Sequence, residues 1–319
     1  MIIAIFVGLL LILFLMGVAV PYALIATSVV GMIYSGGFGP VQMGTMAQKM
    51  TAGVNSFTLL AVPLFMMAGS LMEHGGISKR LVNFAMSMVG HFTGGLAMVV
   101  IVASVFFAAM SGSAVATTAA IGAIMIPAMY ERGYDPDYAC ALQATGGIFG
   151  PLIPPSIAMV LYAVTANQSV STMLIGPGLF MATLVIIYVI YSCHKRSFKG
   201  QGSFSLSKAW AAFKDAIWAL LSPLIILGGI YSGVFSPTES AAIACTYSII
   251  VGVFIYKEMD FKKLFSCLSG SIRSTGGIMM IVAGASTFSW VLTKERMAST
   301  LANAMLSVSD SRYWFIFCT

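Results

Sequence analysis

The residues of this chain best suited to chemistry sit at two interruptions of otherwise apolar sequence. The first is Met110-Ser111-Gly112-Ser113-Ala114, and the second runs from Gly146-Gly147 through Gly150-Pro151 to Pro154-Pro155-Ser156. Backbone polar groups at bilayer depth must be satisfied internally, so broken helix survives there only where it is packed in protein or lines a cavity. Ser111 and Ser113 bring hydroxyls. Gly150 to Pro155 brings carbonyls stripped of helical partners, because Pro151, Pro154 and Pro155 have no N–H to donate. Neutral oxygens of these two kinds hold a monovalent hard cation. The breaks also start new helices, near Ala114 and near Ser156, and a helix N-terminus attracts an anion through its unpaired N–H groups and its dipole. Thr117 and Thr118 fall one turn into the first of these. A cation and a carboxylate can therefore share the site without a charged side chain.

Charge is indeed missing here: between Leu81 and Tyr130, and between Tyr138 and Cys193, there is no Asp, Glu, Lys or Arg. A proton-coupled carrier keeps an ionisable residue in the membrane as its relay. His91 and Glu239 are the candidates for that alternative, and Glu239 reads equally well as an acid stabilising the start of the helix from Ser240. His74, His91 and His194 lie at span ends and read as structural or solvated. A single Ser-Gly-Ser is most simply a packing motif and a lone Pro-rich break a kink; their conjunction in one uncharged tract favours a site. A channel or passive scaffold, with the breaks as mere kinks, is the other alternative. Enzymatic chemistry has no foothold: there is no His-Glu-x-x-His, no Gly-x-Ser-Gly, and Asp135 and Asp137 fall in a polar loop.

The elements that must position the breaks follow from composition. Of 319 residues, 59% are hydrophobic and 8% charged, against about 25% charged in soluble domains, and mean hydropathy is +0.96. This predicts an all-α polytopic membrane protein in a lipid bilayer. The net charge of +6 makes no case for nucleic acid, since the basic residues sit in short loops and set orientation instead. Five scattered cysteines form neither a zinc motif nor a disulfide framework. Met1 to Val20 lacks a basic leader and reads as a first membrane helix.

Along the chain, Ile2 to Tyr34 predicts either one kinked helix or two short ones. Ser35 to Gly53 reads as a loop or interfacial segment, and Asn55 to Met72 as a span kinked at Pro63. Leu81 to Tyr130 holds the first break, Glu131 to Asp137 is a polar loop, and Tyr138 to Val164 is a helix broken at Gly150 to Pro155. Spans at Met173 to Ser192, Ala216 to Phe235, Ala241 to Tyr256 and Gly276 to Leu292 follow. The basic stretch His194 to Lys214 belongs in the cytoplasm. Counting crossings from it puts Glu131-Arg132, Lys79-Arg80 and Lys257 to Lys263 on the same side. Thr165 to Thr172 falls outside, and Gly228 to Ser240 outside or partway in. Lys294 and Arg296 then fall outside, which fits the charge rule poorly. Arg312 to Thr319 begins a further apolar run too short to span, and the chain reads as C-terminally incomplete.

Four ordered motifs, Asn55-Ser56-Phe57 with Pro63-Leu64-Phe65, Ser111-Gly112-Ser113-Ala114 with Ala116-Thr117-Thr118, Gly146-Gly147 through Pro154-Pro155-Ser156, and Gly233-Val234-Phe235-Ser236-Pro237-Thr238-Glu239, cover nearly the whole chain. Together they resemble the large membrane subunit of tripartite ATP-independent periplasmic (TRAP) transporters. The resemblance implies a sodium-driven, elevator-type importer of organic acids, multi-pass in a bacterial inner membrane. Its partners would be a small TRAP membrane subunit and a periplasmic substrate-binding protein, with Na+ the only cofactor and no ATP used. It implies an inverted-repeat fold like that of divalent-anion/sodium symporters, each repeat holding a re-entrant hairpin and a broken helix. Residues 1–90 would be scaffold and arm, 91–192 the first transport repeat, 193–300 the basic loop and second-repeat scaffold, and 301–319 the start of a second transport repeat. A first sodium site would use Ser111 with the carbonyls around Gly150, Ile153 and Pro155. Ser113, Thr117 and Ser156 would face substrate.

Overall fold

The computed structural model describes residues 2–34, 39–174, 178–195, 198, 204–297 and 299–300. Every regular element among them is helical, as an all-α polytopic membrane protein requires, and five helices are long and apolar enough to cross a bilayer, or six if one bent pair counts as a span. The chain divides into two compact units, one of residues 1–56 and 276–319, the other of 57–275.

The first unit contains α1 (Ile2–Leu15), α2 (Val20–Tyr34) and α3 (Pro40–Val54). Ile2 to Tyr34 is thus two helices, separated at Gly17, which takes φ +77°. Ser35 to Gly53, expected as a loop or interfacial segment, is helical from Pro40. Residues 35–38 fall outside the described ones, but Pro40 opens α3, where its missing N–H is no loss and its fixed φ suits a helix start. Phe6, Met32 and Met46 form the core with Val291 and Met297 from the C-terminal part of the unit, and Phe6 packs on Phe288 with ring centroids 5.1 Å apart.

The second unit begins with a 3₁₀ turn, Phe57–Leu60, leading into α4 (Ala61–His74). Pro63 therefore lies early in α4, just after the change from 3₁₀ to α geometry, and seven residues into the continuous span Phe57–His74. Then come α5 (Ile77–Val89), α6 (Gly95–Ser111), α7 (Ala114–Glu131), α8 (Pro136–Gly147), α9 (Phe149–Leu152), α10 (Ile157–Thr165), α11 (Val170–Met173), α12 (Gly178–Lys195), α13 (Leu206–Tyr231) and α14 (Pro237–Ile250). A π-helical turn, Val251–Ile255, ends α14. The last helix, α15 (Phe261–Lys294), has 34 residues and crosses the boundary between the units. It starts 15 residues before the span expected from Gly276, because Lys262, Lys263 and Arg273 interrupt hydropathy without interrupting helix. Residues 301–319, with the apolar run at their end, lie outside the described ones.

Segments assigned to one side of the membrane by their charges do meet. Arg80 of α5 donates to Glu258 (2.7 Å), lies 3.4 Å from Asp215 in α13, and stacks its guanidinium 3.7 Å from the Tyr256 ring centroid. Burial pushes the Tyr256 phenol up to about 12, although Arg80 pulls the other way, so the ring stays neutral beside the cation. Gly94 donates to the Phe198 carbonyl (3.2 Å), and Tyr134 stacks on the Phe198 ring at 4.1 Å. At the opposite end the Tyr231 hydroxyl reaches the Leu174 carbonyl (3.0 Å). Arg80→Ala is expected to cost about 1–2 kcal/mol, since it removes a half-buried cation from two carboxylates and an aromatic face; thermal unfolding of the purified protein checks it.

Candidate functional site

α6 and α7 form a hairpin. Its two ends both meet Phe198, through Gly94 and Tyr134, and its tip is the Ser-Gly-Ser turn. α6 ends in a left-handed cap at Gly112, φ +59°, whose N–H returns to the Ala108 carbonyl, and an L-residue with a Cβ is strained in that conformation. Ser113, extended, caps α7 by accepting from the Ala116 N–H at 3.4 Å.

The second break lies against this tip. α8, Ile148 and α9 carry the chain from Pro136 to Leu152, about 25 Å at 1.5 Å per residue. After Ile153 and the cis Pro154–Pro155 pair, α10 resumes with a bend of 40°. Its N-cap is Ser156, fully buried and accepting from the Met159 N–H at 3.2 Å. The Gly150 and Pro151 carbonyls would pair with the N–H groups four residues on, where Pro154 and Pro155 have none, so both are released from the helix.

Three close approaches join tip to break, and each needs a missing side chain. A Cβ on Gly112 would overlap the Pro155 carbonyl oxygen, and one on Gly150 would overlap the Ser113 backbone. Ile157 N–H points at the Gly112 carbonyl from 3.5 Å. Behind the tip, Gly69 of α4 faces the Ser111 backbone. The starts of α7 and α10 are thereby brought together, so two positive helix ends converge where an anion would sit.

The hydroxyls are ordered with them. Thr117 donates its one proton to the Ser113 carbonyl (2.8 Å), so the 3.1 Å contact between the Ser111 and Thr117 hydroxyls must run from Ser111 to Thr117. With its proton directed away, and only a long approach (3.5 Å) from the Ser113 N–H, the Ser111 oxygen keeps lone-pair capacity for a cation. Ser111 is 2% exposed and Thr117 fully buried.

Of the residues named from sequence, Ser111, Ser113, Thr117, Gly150, Pro155 and Ser156 are brought together at this junction. Ile153, named for its backbone carbonyl, directly follows α9, and its side chain lines an apolar cavity together with Pro154. Gln143 of α8 was not foreseen. It is 1% exposed, and its amide donates to the Thr117 and Thr118 carbonyls at 3.3 and 3.4 Å, tying α8 to the first turn of α7. The only hint in sequence is that it is the one amide in the tract from Tyr138 to Val164.

The two candidates for proton coupling stand elsewhere. His91 lies in the turn between α5 and α6, beside Phe92 and Phe204, and α6 separates it from the tip by about 24 Å. Glu239 forms a capping box with Ser236: its carboxylate accepts from the Ser236 N–H (2.7 Å) and hydroxyl (2.8 Å), while its own N–H returns to the Ser236 oxygen (3.3 Å). That is the structural role of an acid at a helix start.

The chain is 41% identical over 268 residues to the sialic acid TRAP transporter permease protein SiaT of Haemophilus influenzae, covering 83% of this chain and 43% of that protein. To the sialic acid TRAP transporter large permease protein SiaM of Vibrio cholerae it is 36% identical over 298 residues, 92% of this chain and 69% of the relative. To the 2,3-diketo-L-gulonate TRAP transporter large permease protein YiaN of Escherichia coli it is 38% identical over 269 residues, 83% of this chain and 63% of the relative. The chain thus spans less than half of the first relative and about two thirds of the other two. The family described as the DctM component of the tripartite ATP-independent periplasmic transporter matches residues 7–319. This multi-pass membrane chain therefore belongs to the DctM family of TRAP transporter large permease proteins.

Proposed function

We propose that the protein is the substrate-carrying subunit of a sodium-coupled secondary importer of small organic acids, and not an enzyme. The observation that supports this reading is the close fit of tip and break, in which Gly112 lies against the Pro155 carbonyl and Gly150 against the Ser113 backbone, at the turn between the linked Ser111 and Thr117 hydroxyls. Sodium would take Ser111 with the Gly150, Ile153 and Pro155 carbonyls, and the substrate carboxylate would take the α7 and α10 starts at Ser113, Thr117 and Ser156. Such a site selects a hard monovalent cation by oxygen number and field, without a titrating group. Sialic acid, 2,3-diketo-L-gulonate and C4-dicarboxylates, named for the relatives, share a carboxylate, which supports the substrate class.

The hairpin would be re-entrant, because α10 continues for nine residues, about 13 Å, beyond the level at which the tip meets the break. Residues 91–192 would form the first transport repeat, flanked by scaffold at 1–90 and 193–300. The importer would sit in a bacterial inner membrane, move as an elevator, and receive substrate from a periplasmic binding protein with the help of a small membrane subunit.

Counterflow tests the carrier reading. Proteoliposomes holding the complete complex are expected to take up labelled substrate faster when preloaded with unlabelled substrate, and to saturate. Uptake without trans-stimulation or saturation would instead describe a pore. Glu239→Ala is expected to lower the unfolding temperature of the permease through loss of the capping box while leaving the sodium dependence of uptake unaltered. Loss of a proton-driven component of uptake in that variant would restore the proton alternative.

A further inference from the structure

Gln143 is a polar residue buried in an apolar tract, and its hydrogen bonds do not explain it as a stabilising one. Its Nε2 donates to the Thr117 and Thr118 carbonyls at 3.3 and 3.4 Å, and both bonds are long. Each of those carbonyls already accepts within α7 from the N–H four residues on, so neither depends on Gln143 for a partner. The other end of the amide is worse placed: Oε1 is buried and has no hydrogen-bond partner among the described residues. Turning the amide over brings no relief, since it sets Oε1 against two carbonyl oxygens, which cannot donate. An unpaired buried acceptor costs at least as much as two long bonds to satisfied carbonyls contribute. An apolar side chain of the same length would therefore pack here without loss of stability.

What the amide adds is position. α8 and α9 lie on α7 along Gln143, Gly147 and Gly150. A Cβ on Gly122 of α7 would stand 3.1 Å from Gln143 Cγ, one on Gly147 would overlap the Thr118 hydroxyl, and one on Gly150 the Ser113 backbone. Glycine contacts set how closely the helices approach; hydrogen bonds, being directional, set register and rotation. The residue so held is Thr117, whose hydroxyl donates to the Ser113 carbonyl (2.8 Å) and accepts the Ser111 proton (3.1 Å). Gln143 also stands seven residues, about two turns, before Gly150 of the second break. One side chain thus ties the helix leading to the break to the residue that orients Ser111.

We propose that Gln143 is a positioning residue for the cation site: it holds α7 in register against α8, so that Thr117 keeps the Ser111 hydroxyl oriented, and it does not itself touch the ion. The inference rests on the sodium reading given above. Outer-shell groups of this kind tune ion affinity through the ligands they orient.

The unfolding temperature of the complete complex, followed as sodium replaces potassium at constant ionic strength and pH, tests it. Gln143→Met keeps the length of the side chain and removes both donor and acceptor. In potassium alone the variant is expected to unfold no earlier than the wild type. It is expected to need about three- to tenfold more sodium for half of the stabilisation, the worth of one neutral hydrogen bond. Thr117→Val is expected to weaken sodium as well, and adding Gln143→Met to it to change little further, because the amide acts through Thr117. Should Gln143→Met not fold, Gln143→Leu makes the same comparison. Earlier unfolding in potassium with an unaltered sodium response makes Gln143 a packing residue and overturns the proposal, as does full additivity with Thr117→Val. A wild type that does not distinguish sodium from potassium defeats the sodium reading instead, and hydrogen exchange then decides whether Gln143 positions α7. The Ile121 and Gly122 amides, bonded to the Thr117 and Thr118 carbonyls, are expected to exchange about threefold faster in Gln143→Met; equal exchange overturns the positioning role.

Discussion

Ser111→Ala is expected to raise the sodium concentration giving half-maximal uptake by about 10- to 100-fold, with the permease still folded and assembled. The side chain is small and buried, so the loss of one oxygen leaves little packing defect. A contact between a neutral oxygen and an ion is worth about 1.5–3 kcal/mol, and each 1.4 kcal/mol is tenfold in affinity. Ser111 gives its proton to Thr117 and keeps its lone pairs, whereas Thr117 spends its proton on the Ser113 carbonyl. Thr117→Val should therefore act differently. It removes the acceptor that orients Ser111, and a Ser111 free to rotate is expected to weaken sodium by less than its deletion does. Sodium titrations of uptake in proteoliposomes separate the two.

Gly112→Ala is expected to reduce uptake to background, a larger effect than any substitution of a hydroxyl. Two costs fall on one atom. The left-handed conformation of Gly112 costs an L-residue about 1–2 kcal/mol, and the added Cβ overlaps the Pro155 carbonyl oxygen, a backbone group that cannot rotate aside; overpacking of this kind costs about 1–3 kcal/mol more. A total of about 2–5 kcal/mol exceeds what the local contact returns, so tip and break separate and the Ser111 hydroxyl leaves the carbonyls of the second break. Gly150→Ala, which meets the Ser113 backbone, should produce the same phenotype from the other side. Gly133→Ala is the matched control: Gly133 also has positive φ, +78°, but nothing lies within 4 Å of an added Cβ. It is expected to lose some stability and keep uptake. Equal inactivation by the control would mean that backbone strain, not the junction, explains the loss.

The two breaks were largely legible because their signals are local. Proline removes a donor and glycine admits a positive φ whatever the tertiary context, so helix starts read near Ala114 and Ser156 coincide with observed helices capped by Ser113 and Ser156. Segments whose loop charges are expected on one side of the membrane also meet at Arg80, Glu258 and Asp215. What escaped depends on distance or on separating helix from hydropathy. Gln143 matters only because α8 packs on α7, which no local pattern encodes. Ser35 to Gly53 reads as a loop or interfacial segment for its glycines and one lysine, and Pro40 starts a helix over the run of Gln, Met, Ala and Lys that follows. α15 was read short because charge ends an apolar window but does not end a helix.

Coupling to sodium through neutral oxygens is the central claim, and exchanging the driving gradients tests it most directly. Proteoliposomes with the complete complex are loaded so that either a sodium gradient or a proton gradient is imposed alone, with potassium replacing sodium in the second case. An inward sodium gradient at equal pH on both sides is expected to drive accumulation of the organic acid, and a proton gradient without sodium is expected to drive none. Accumulation driven by protons in the absence of sodium would contradict the account.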